Sequence, residues 1–362
     1  MNFDLSEEQQ MFRDSIERFA APIDVEARRK LRMSDTGYDR ARWQQLAELG
    51  LIALAAPEEA GGLDGTSVDL ALVGEAIGKA NSPDPWLELG VLPTLLLSHG
   101  KHSDALEQVL SGEAIATLAW AERARRYSLA AKVTRAEAQD GGFTLSGEKS
   151  FVMGAALADL FIVTAELDGM TACFAVPRDA DGLAVRAYRL ADGSLAGEIA
   201  LTRVTVDAGA KLDINPACLD EIVATARLYA AAEMLGLGQR LLDETLAYVK
   251  EREQFGVAIG SFQALQHRLV DCYARIEQCR SMLYRAALTD ATHHAEWLRA
   301  TAGAKAFIGE NVDHVAREAV QMHGGMGITD ELSIGHAMKR AMVLAKLFGD
   351  ADSTLAEYAE AA

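Results

Sequence analysis

The residue types able to do chemistry gather in the last third of this 362-residue chain. Arg252-Glu253-Gln254-Phe255-Gly256 sets a guanidinium close to a primary amide, and the planar fork of an arginine matches paired anionic oxygens. Gln321-Met322-His323-Gly324-Gly325-Met326-Gly327 closes a helical pattern with glycines, which permit left-handed dihedrals and close backbone approach. Backbone N–H groups freed in such a turn can cradle an anion such as a pyrophosphate. Between the two lies Phe262-Gln263-Ala264-Leu265-Gln266-His267, and beyond them Leu347-Phe348-Gly349-Asp350. Each also has a plain structural reading. A GGxG after a helix makes a C-cap and turn, Arg252 complements a helix C-terminus, and His267 on an apolar helix face reads as a satisfied core histidine.

The elements that must position these groups follow the hydrophobic period. Ser6-Glu7-Glu8-Gln9 reads as a capping box. Arg40 to Leu49 reads as a helix stopped by Gly50, and Pro57 to Gly62 as a loop. Ser67 to Ala80, Trp86 to Leu97 and Ser103 to Leu110 read as further helices. Near residue 113 the period shortens. Segments 114–120, 143–147, 160–164, 171–176 and 200–206 are β-prone and separated by Asp- and Gly-rich turns, which predicts an antiparallel barrel or sandwich. Asn215 as N-cap and Pro216 at the first helical position then open long helices over 218–253, 262–288, 297–322 and 331–359. The expected architecture is α+β: an N-terminal helical domain over 1–112, a β-domain over 113–209, and a C-terminal four-helix bundle over 210–362.

Composition narrows the partners. A formal net charge of -18 argues against a nucleic-acid or anionic-membrane surface. No apolar run reaches the ~18 residues of a membrane span, and the acidic N-terminus lacks a signal peptide's apolar core. Arg123, Arg125 and Arg126 read as a solvated loop, with a pocket for a phosphate-bearing ligand as the sharper alternative. Cys173, Cys218, Cys272 and Cys279 form no CxxC pair or metal-ligand cluster, and buried free thiols are the reading for Cys272 and Cys279. The expected setting is soluble, reducing and cytoplasmic.

Taken together and in order, RxQFG, FQxxQH and QxHGGxG resemble the flavin-binding half of the acyl-CoA dehydrogenase family. Phe3 to Gln10, Trp43 to Leu51 and Pro57 to Gly62 resemble its N-terminal helical domain, so the resemblance spans nearly the whole chain. It implies FAD lying between the β-domain and the bundles of two subunits, an acyl-CoA substrate, electron-transfer flavoprotein as acceptor, and assembly into dimers and tetramers. Carried onto this chain, it implies Arg252 and Gln254 at the diphosphate, Phe255 near the adenosine half, and Phe262 and Gln263 lining the cofactor. Gln321, Gly324 and Gly325 would meet the pyrophosphate from a neighbouring subunit. The β-domain departs further: Phe151 stands at the family's ring-side tryptophan, Met153 at its threonine, and Ala121 at a hydroxyl-bearing residue.

The reaction this resemblance implies takes the α-proton of an acyl thioester while hydride leaves the β-carbon for flavin N5. A partly desolvated carboxylate must take that proton. The resemblance places Phe348 at the usual base position and Ala226, just before Arg227, at the alternative one; neither side chain accepts a proton. Three acids remain. Glu233 sits in the apolar stretch 230–236, two turns along the same helix face as Ala226, as a displaced base or as a structural acid paired with an arginine or a flavin-side group. Asp350 reads as a polar loop residue and Glu331 as a helix-start charge. The resemblance therefore points to one half of an α2β2 heteromer acting on bulky CoA thioesters such as steroid fragments, with the base supplied elsewhere. The alternatives are a self-sufficient homotetramer using Glu233, a non-catalytic structural or cofactor-binding subunit, and, more distantly, a flavin enzyme of other chemistry such as amine or nitroalkane oxidation.

Overall fold

The computed structural model describes residues 5–20 and 24–360; Phe3 and the first residues of the N-terminal stretch lie outside them. Helices come first: α1 (Glu7–Phe19), α2 (Val25–Met33), α3 (Arg40–Glu48), α4 (Ser67–Ala80), α5 (Leu92–His99) and α6 (Ser103–Leu110). The capping box forms as expected, with Ser6 Oγ accepting from the Gln9 N–H at 3.1 Å and Gln9 Oε1 from the Ser6 N–H at 3.2 Å. The segment read as one helix from Trp86 begins instead with a π-helical stretch, Trp86–Val91, before α5.

Seven strands follow: β1 (Ala116–Ala119), β2 (Arg135–Gln139), β3 (Gly142–Met153), β4 (Leu160–Leu167), β5 (Met170–Pro177), β6 (Leu183–Arg189) and β7 (Leu195–Asp207). They make a mixed sheet, not one antiparallel throughout. Strands β1 and β2 lie end to end along one edge of β4, both parallel to it, and β5 pairs antiparallel on the other edge. The parallel pairing arises because β2 and β3 intervene between β1 and β4, so those two are not hairpin neighbours. The expected Asp-Gly turn at Asp168 and Gly169 joins β4 to β5 with φ of 51° and 85°, the left-handed pair that suits a two-residue hairpin. Phe161 and Phe174 anchor this core with no exposed surface, each contributing about 1.5–3 kcal/mol by burial.

Long helices complete the chain: α7 (Pro216–Glu251), α8 (Gln263–Ala287), α9 (His294–His323), α10 (Ser333–Lys346) and α11 (Ala351–Glu360). The Asn215 side chain caps α7, accepting from the Cys218 N–H at 2.9 Å. The expected fourth helix over 331–359 is broken. Phe348 (φ 57°) and Gly349 (φ 121°) leave the helical region, and Asp350 restarts the chain as α11 by accepting from the Ser353 N–H at 3.1 Å.

By packing, the chain divides into two compact units: Met1–Lys30, Ser67–Pro83 and Arg227–Ala362, and Leu31–Thr66 with Asp84–Ala226. In the first, α4 and α7 touch backbone to backbone. A Cβ on Gly78 would sit 2.0 Å from Glu233 O, and one on Gly236 would sit 2.1 Å from Glu75 O. Ala230, Ala231 and Ala232 are wholly buried here, so the small residues serve close helix approach.

Candidate functional site

Helix α7 runs directly into the arginine motif, with the Arg252 N–H donating to Tyr248 O at 2.8 Å. Glu253–Gln254 (β8) and Val257–Ala258 (β9) then form a minimal hairpin. Its turn residues, Phe255 and Gly256, have φ of 55° and 81°. A phenylalanine in that region is strained and persists only where the surrounding structure holds it. The side chain is 94% exposed and meets Phe262 edge-on, with ring centroids 6.2 Å apart. Arg252, Gln254, Phe262 and Gln263 are exposed with it. Among the described residues Arg252 makes no ion pair. His267 is exposed too, contrary to the core reading. The buried face of α8 runs through Leu269, Cys272, Ile276 and Cys279, and His267 lies off it.

The glycine motif sits at the end of α9. Gly324 (φ 61°) terminates the helix, and a Cβ added to Gly324 or Gly325 would meet nothing within 4 Å, whereas one on Gly327 would press on Val320 O at 2.8 Å. Two of the three glycines thus leave open backbone and one serves packing. Gln321 is exposed beside them. His323 stacks on Tyr248 with ring centroids 4.2 Å apart, and its Nδ1 lies 2.8 Å from Ala319 O. This contact places the C-terminal end of α7, which carries the arginine motif, beside that of α9, which carries the glycines. An unpaired guanidinium, exposed amides, open glycine backbone and an uncovered aromatic ring fit a ligand with a diphosphate and an aromatic system.

Of the candidate acids and the two base positions, all but Glu331 are buried. Ala226 is wholly buried and Phe348 is 4% exposed. Arg227 Nε donates to Phe348 O at 2.7 Å, and its Nη2 to Glu357 Oε1 at 2.9 Å. Glu233 and Arg340, both buried, form a bidentate pair with Nε–Oε1 at 2.6 Å and Nη2–Oε2 at 3.0 Å. Both carboxylate oxygens are therefore engaged. Asp350 is the N-cap of α11. Burial pushes its carboxyl up, but the Ser353 donors and Lys346 outweigh that and hold it below the usual value. Glu331 is exposed and precedes the start of α10 by two residues.

In the β-sheet unit, Phe151 is half-buried at a bulge of β3, with φ 54°. Met153 is buried and its carbonyl accepts from Thr117 Oγ1 at 2.6 Å. The sequence reading missed the brace behind them. Glu122, 3% exposed, accepts from the N–H groups of Lys132, Val133 and Thr134 at 2.9–3.0 Å and from Lys149 Nζ at 3.0 Å. Burial raises the Glu122 carboxyl, but the three backbone donors and Lys149 prevail and hold it at about 2. A lone lysine on a β-strand two residues before Phe151 was the available signal. Of the arginine cluster, Arg123 pairs with Glu198 and Arg126 lies over the Tyr127 ring at 5.8 Å. Among the described residues no group of His, Cys, Asp and Glu could hold a metal, and no helix is long and apolar enough to cross a membrane.

Profiles of the acyl-CoA dehydrogenase N-terminal, middle and C-terminal domains match residues 6–112, 117–204 and 219–362. The chain belongs to the acyl-CoA dehydrogenase family. It is 33% identical over 350 residues to acyl-CoA dehydrogenase IpdE2 of Mycolicibacterium smegmatis, covering 95% of this chain and 96% of the relative. Among solved structures it superposes on a variant of the Tcur3481-Tcur3483 steroid ACAD with a TM-score of 0.87 at 28% identity, covering 98% of this chain and 97% of the other. The ChsE4-ChsE5 complex of Mycobacterium tuberculosis gives 0.89 at 26%, with 99% and 98% covered. PigA with FAD and proline gives 0.90 at 26%, also with 99% and 98% covered. As an oxidoreductase of this family the chain takes FAD, and the exposed residues on the hairpin and glycine turn fit that cofactor.

Proposed function

We propose that this chain is the FAD-binding half of a heteromeric acyl-CoA dehydrogenase acting on a bulky acyl-CoA thioester, with the base that takes the α-proton supplied by a related partner chain. The observation that carries this reading is the pairing of Glu233. Both familiar base positions hold apolar side chains, and the candidate substitute Glu233 has both oxygens held by Arg340. A carboxylate so bound is disfavoured as a proton acceptor, because protonation would break a buried ion pair. Glu233 accordingly acts as the anchor of Arg340. The names of two structural neighbours, a steroid ACAD and a two-protein complex, support the bulky substrate and the heteromer.

Bound FAD supplies the hydride acceptor. The chain's own residues bind and orient it: Arg252 and Gln254 take the diphosphate, Phe255, Phe262 and Gln263 pack along it, and Gln321 with the Gly324 and Gly325 backbone reaches the pyrophosphate from a neighbouring subunit. Phe151, held at its bulge, stands at the ring. The exposed hairpin with its unpaired Arg252 is what favours this over a purely structural subunit. Electron-transfer flavoprotein as acceptor, acyl-CoA as substrate and a cytoplasmic setting complete the proposal.

Purification alone and after co-expression with an adjacent related gene tests it. The expected result is acyl-CoA-dependent bleaching of the flavin only in the co-expressed α2β2 assembly. Bleaching by the isolated homotetramer, lost in E233Q, would establish the self-sufficient alternative instead.

A further inference from the structure

The turn between α10 and α11 is held in an unusual way. Arg227 takes the Phe348 carbonyl, and Lys305 Nζ, from α9, donates to Ala345 O at 3.1 Å and to Gly349 O at 2.9 Å. Lys305 is 1% exposed, and among the described residues no carboxylate lies within ion-pair reach of it. The charges that bear on it are Arg227 from α7 and Lys346 at the end of α10, which repel, and Asp350 at the start of α11, which attracts. Glu357 of α11 pairs with Arg227. Burying an ammonium without a counter-ion is costly, and a methionine would fill the same volume without that cost. The donors must therefore do what an apolar side chain cannot. The carbonyls at the end of α10 carry the negative end of the helix dipole. Phe348 at φ 57° needs surroundings that over-determine it.

We propose that Lys305 is a positioning residue: it grips the main chain on either side of Phe348 and, with Arg227, fixes where that residue stands. The inference rests on the reading given above that Phe348 stands at the family's usual base position. The test uses K305M in the flavin-loaded assembly. The amides of Leu347, Ser353 and Thr354, which bracket the turn, exchange hydrogen at least tenfold faster than in the wild type, while amides in the middle of α9 change less than threefold. In the same assembly kcat falls at least tenfold with KM within threefold. Exchange that accelerates uniformly along α9 and α10 makes the lysine a core residue only and overturns the proposal, as does unchanged exchange with unchanged kcat. If K305M does not accumulate as folded protein, K305R carries the same comparison of turn with helix. A wild-type assembly without acyl-CoA dehydrogenation overturns the functional reading, while the exchange pattern still decides whether Lys305 holds the turn.

Discussion

Two Phe-Gly pairs in this chain share a backbone conformation and almost nothing else. Phe255 and Phe348 have φ of 55° and 57°, each followed by a glycine at positive φ, yet the first is 94% exposed and the second 4%. At Phe255 a two-residue hairpin alone imposes the conformation, and the Arg252 guanidinium beside it pairs with no carboxylate among the described residues. At Phe348 the chain supplies its own partners, because Arg227 and Lys305 bind the turn's carbonyls and Glu233 is closed off by Arg340. A site built to receive a ligand leaves donors unpaired and backbone uncovered; a site built to hold geometry consumes them internally. Mutations in the two regions should therefore separate into effects on cofactor affinity and effects on stability.

The largest expected effect is in the buried region. R340M leaves Glu233 buried without its partner and should cost about 3–5 kcal/mol, measured by urea unfolding of the flavin-free protein. The double variant E233M/R340M should recover most of that loss. A small loss in R340M would mean that the pair is not closed off as its geometry implies, and would revive Glu233 as a proton acceptor.

In the exposed region R252M should do the reverse. Stability should stay within about 0.5 kcal/mol, as for surface substitutions generally. FAD affinity should fall by about 1.5–3 kcal/mol, the scale of hydrogen bonds to a charged group, or roughly 10- to 100-fold in a flavin titration. If R252M unfolds the protein without altering affinity, the contrast between the two regions fails.

Glycines sharpen the same contrast. G78A drives a methyl into Glu233 O and should lose about 1–3 kcal/mol by overpacking. G325A enters open space and should leave the melting temperature nearly unchanged while weakening FAD. Differential scanning fluorimetry of both, with and without FAD, separates a packing glycine from a ligand-facing one.

How much of this was legible beforehand follows from the range of each interaction. The glycine turn was readable because its chemistry is local: residue type and left-handed backbone decide it within a few positions. The capping box, Gly50 and the Asn215 cap were readable for the same reason. The Glu233–Arg340 pair spans 107 residues and leaves no local trace beyond an acid in an apolar stretch. The break at Phe348 was hidden because apolar periodicity resumes in α11 with nearly the phase of α10. His267 was misread because neighbouring apolar residues identified a helix but not which face of it is buried. Strand β6 was missed because most of its side chains are at least partly exposed, and the parallel pairing of β1 with β4 depends on a contact 44 residues away in register.

The effect that reads the buried turn most directly is a change of slope with pH. Burial, together with the nearby positive charge of Arg227, pushes the Lys305 ammonium down from 10.5 to about 7 in the folded chain. In the unfolded chain it returns to its ordinary value, so between about pH 7 and 10.5 the unfolded state binds more protons than the folded one. Stability contributed by this group must then rise with pH across that window, by up to ~1.4 kcal/mol per pH unit. Below pH 7 both states are protonated and the contribution is flat. K305M should abolish that component, so the difference in unfolding free energy between wild type and variant shifts in favour of the wild type from pH 7 to 9.5. A difference that stays constant over this range would place the ammonium's titration well outside it. The turn would then be held by a lysine that remains charged, and no counterpart of the free Arg252 would have been neutralised to build the buried site.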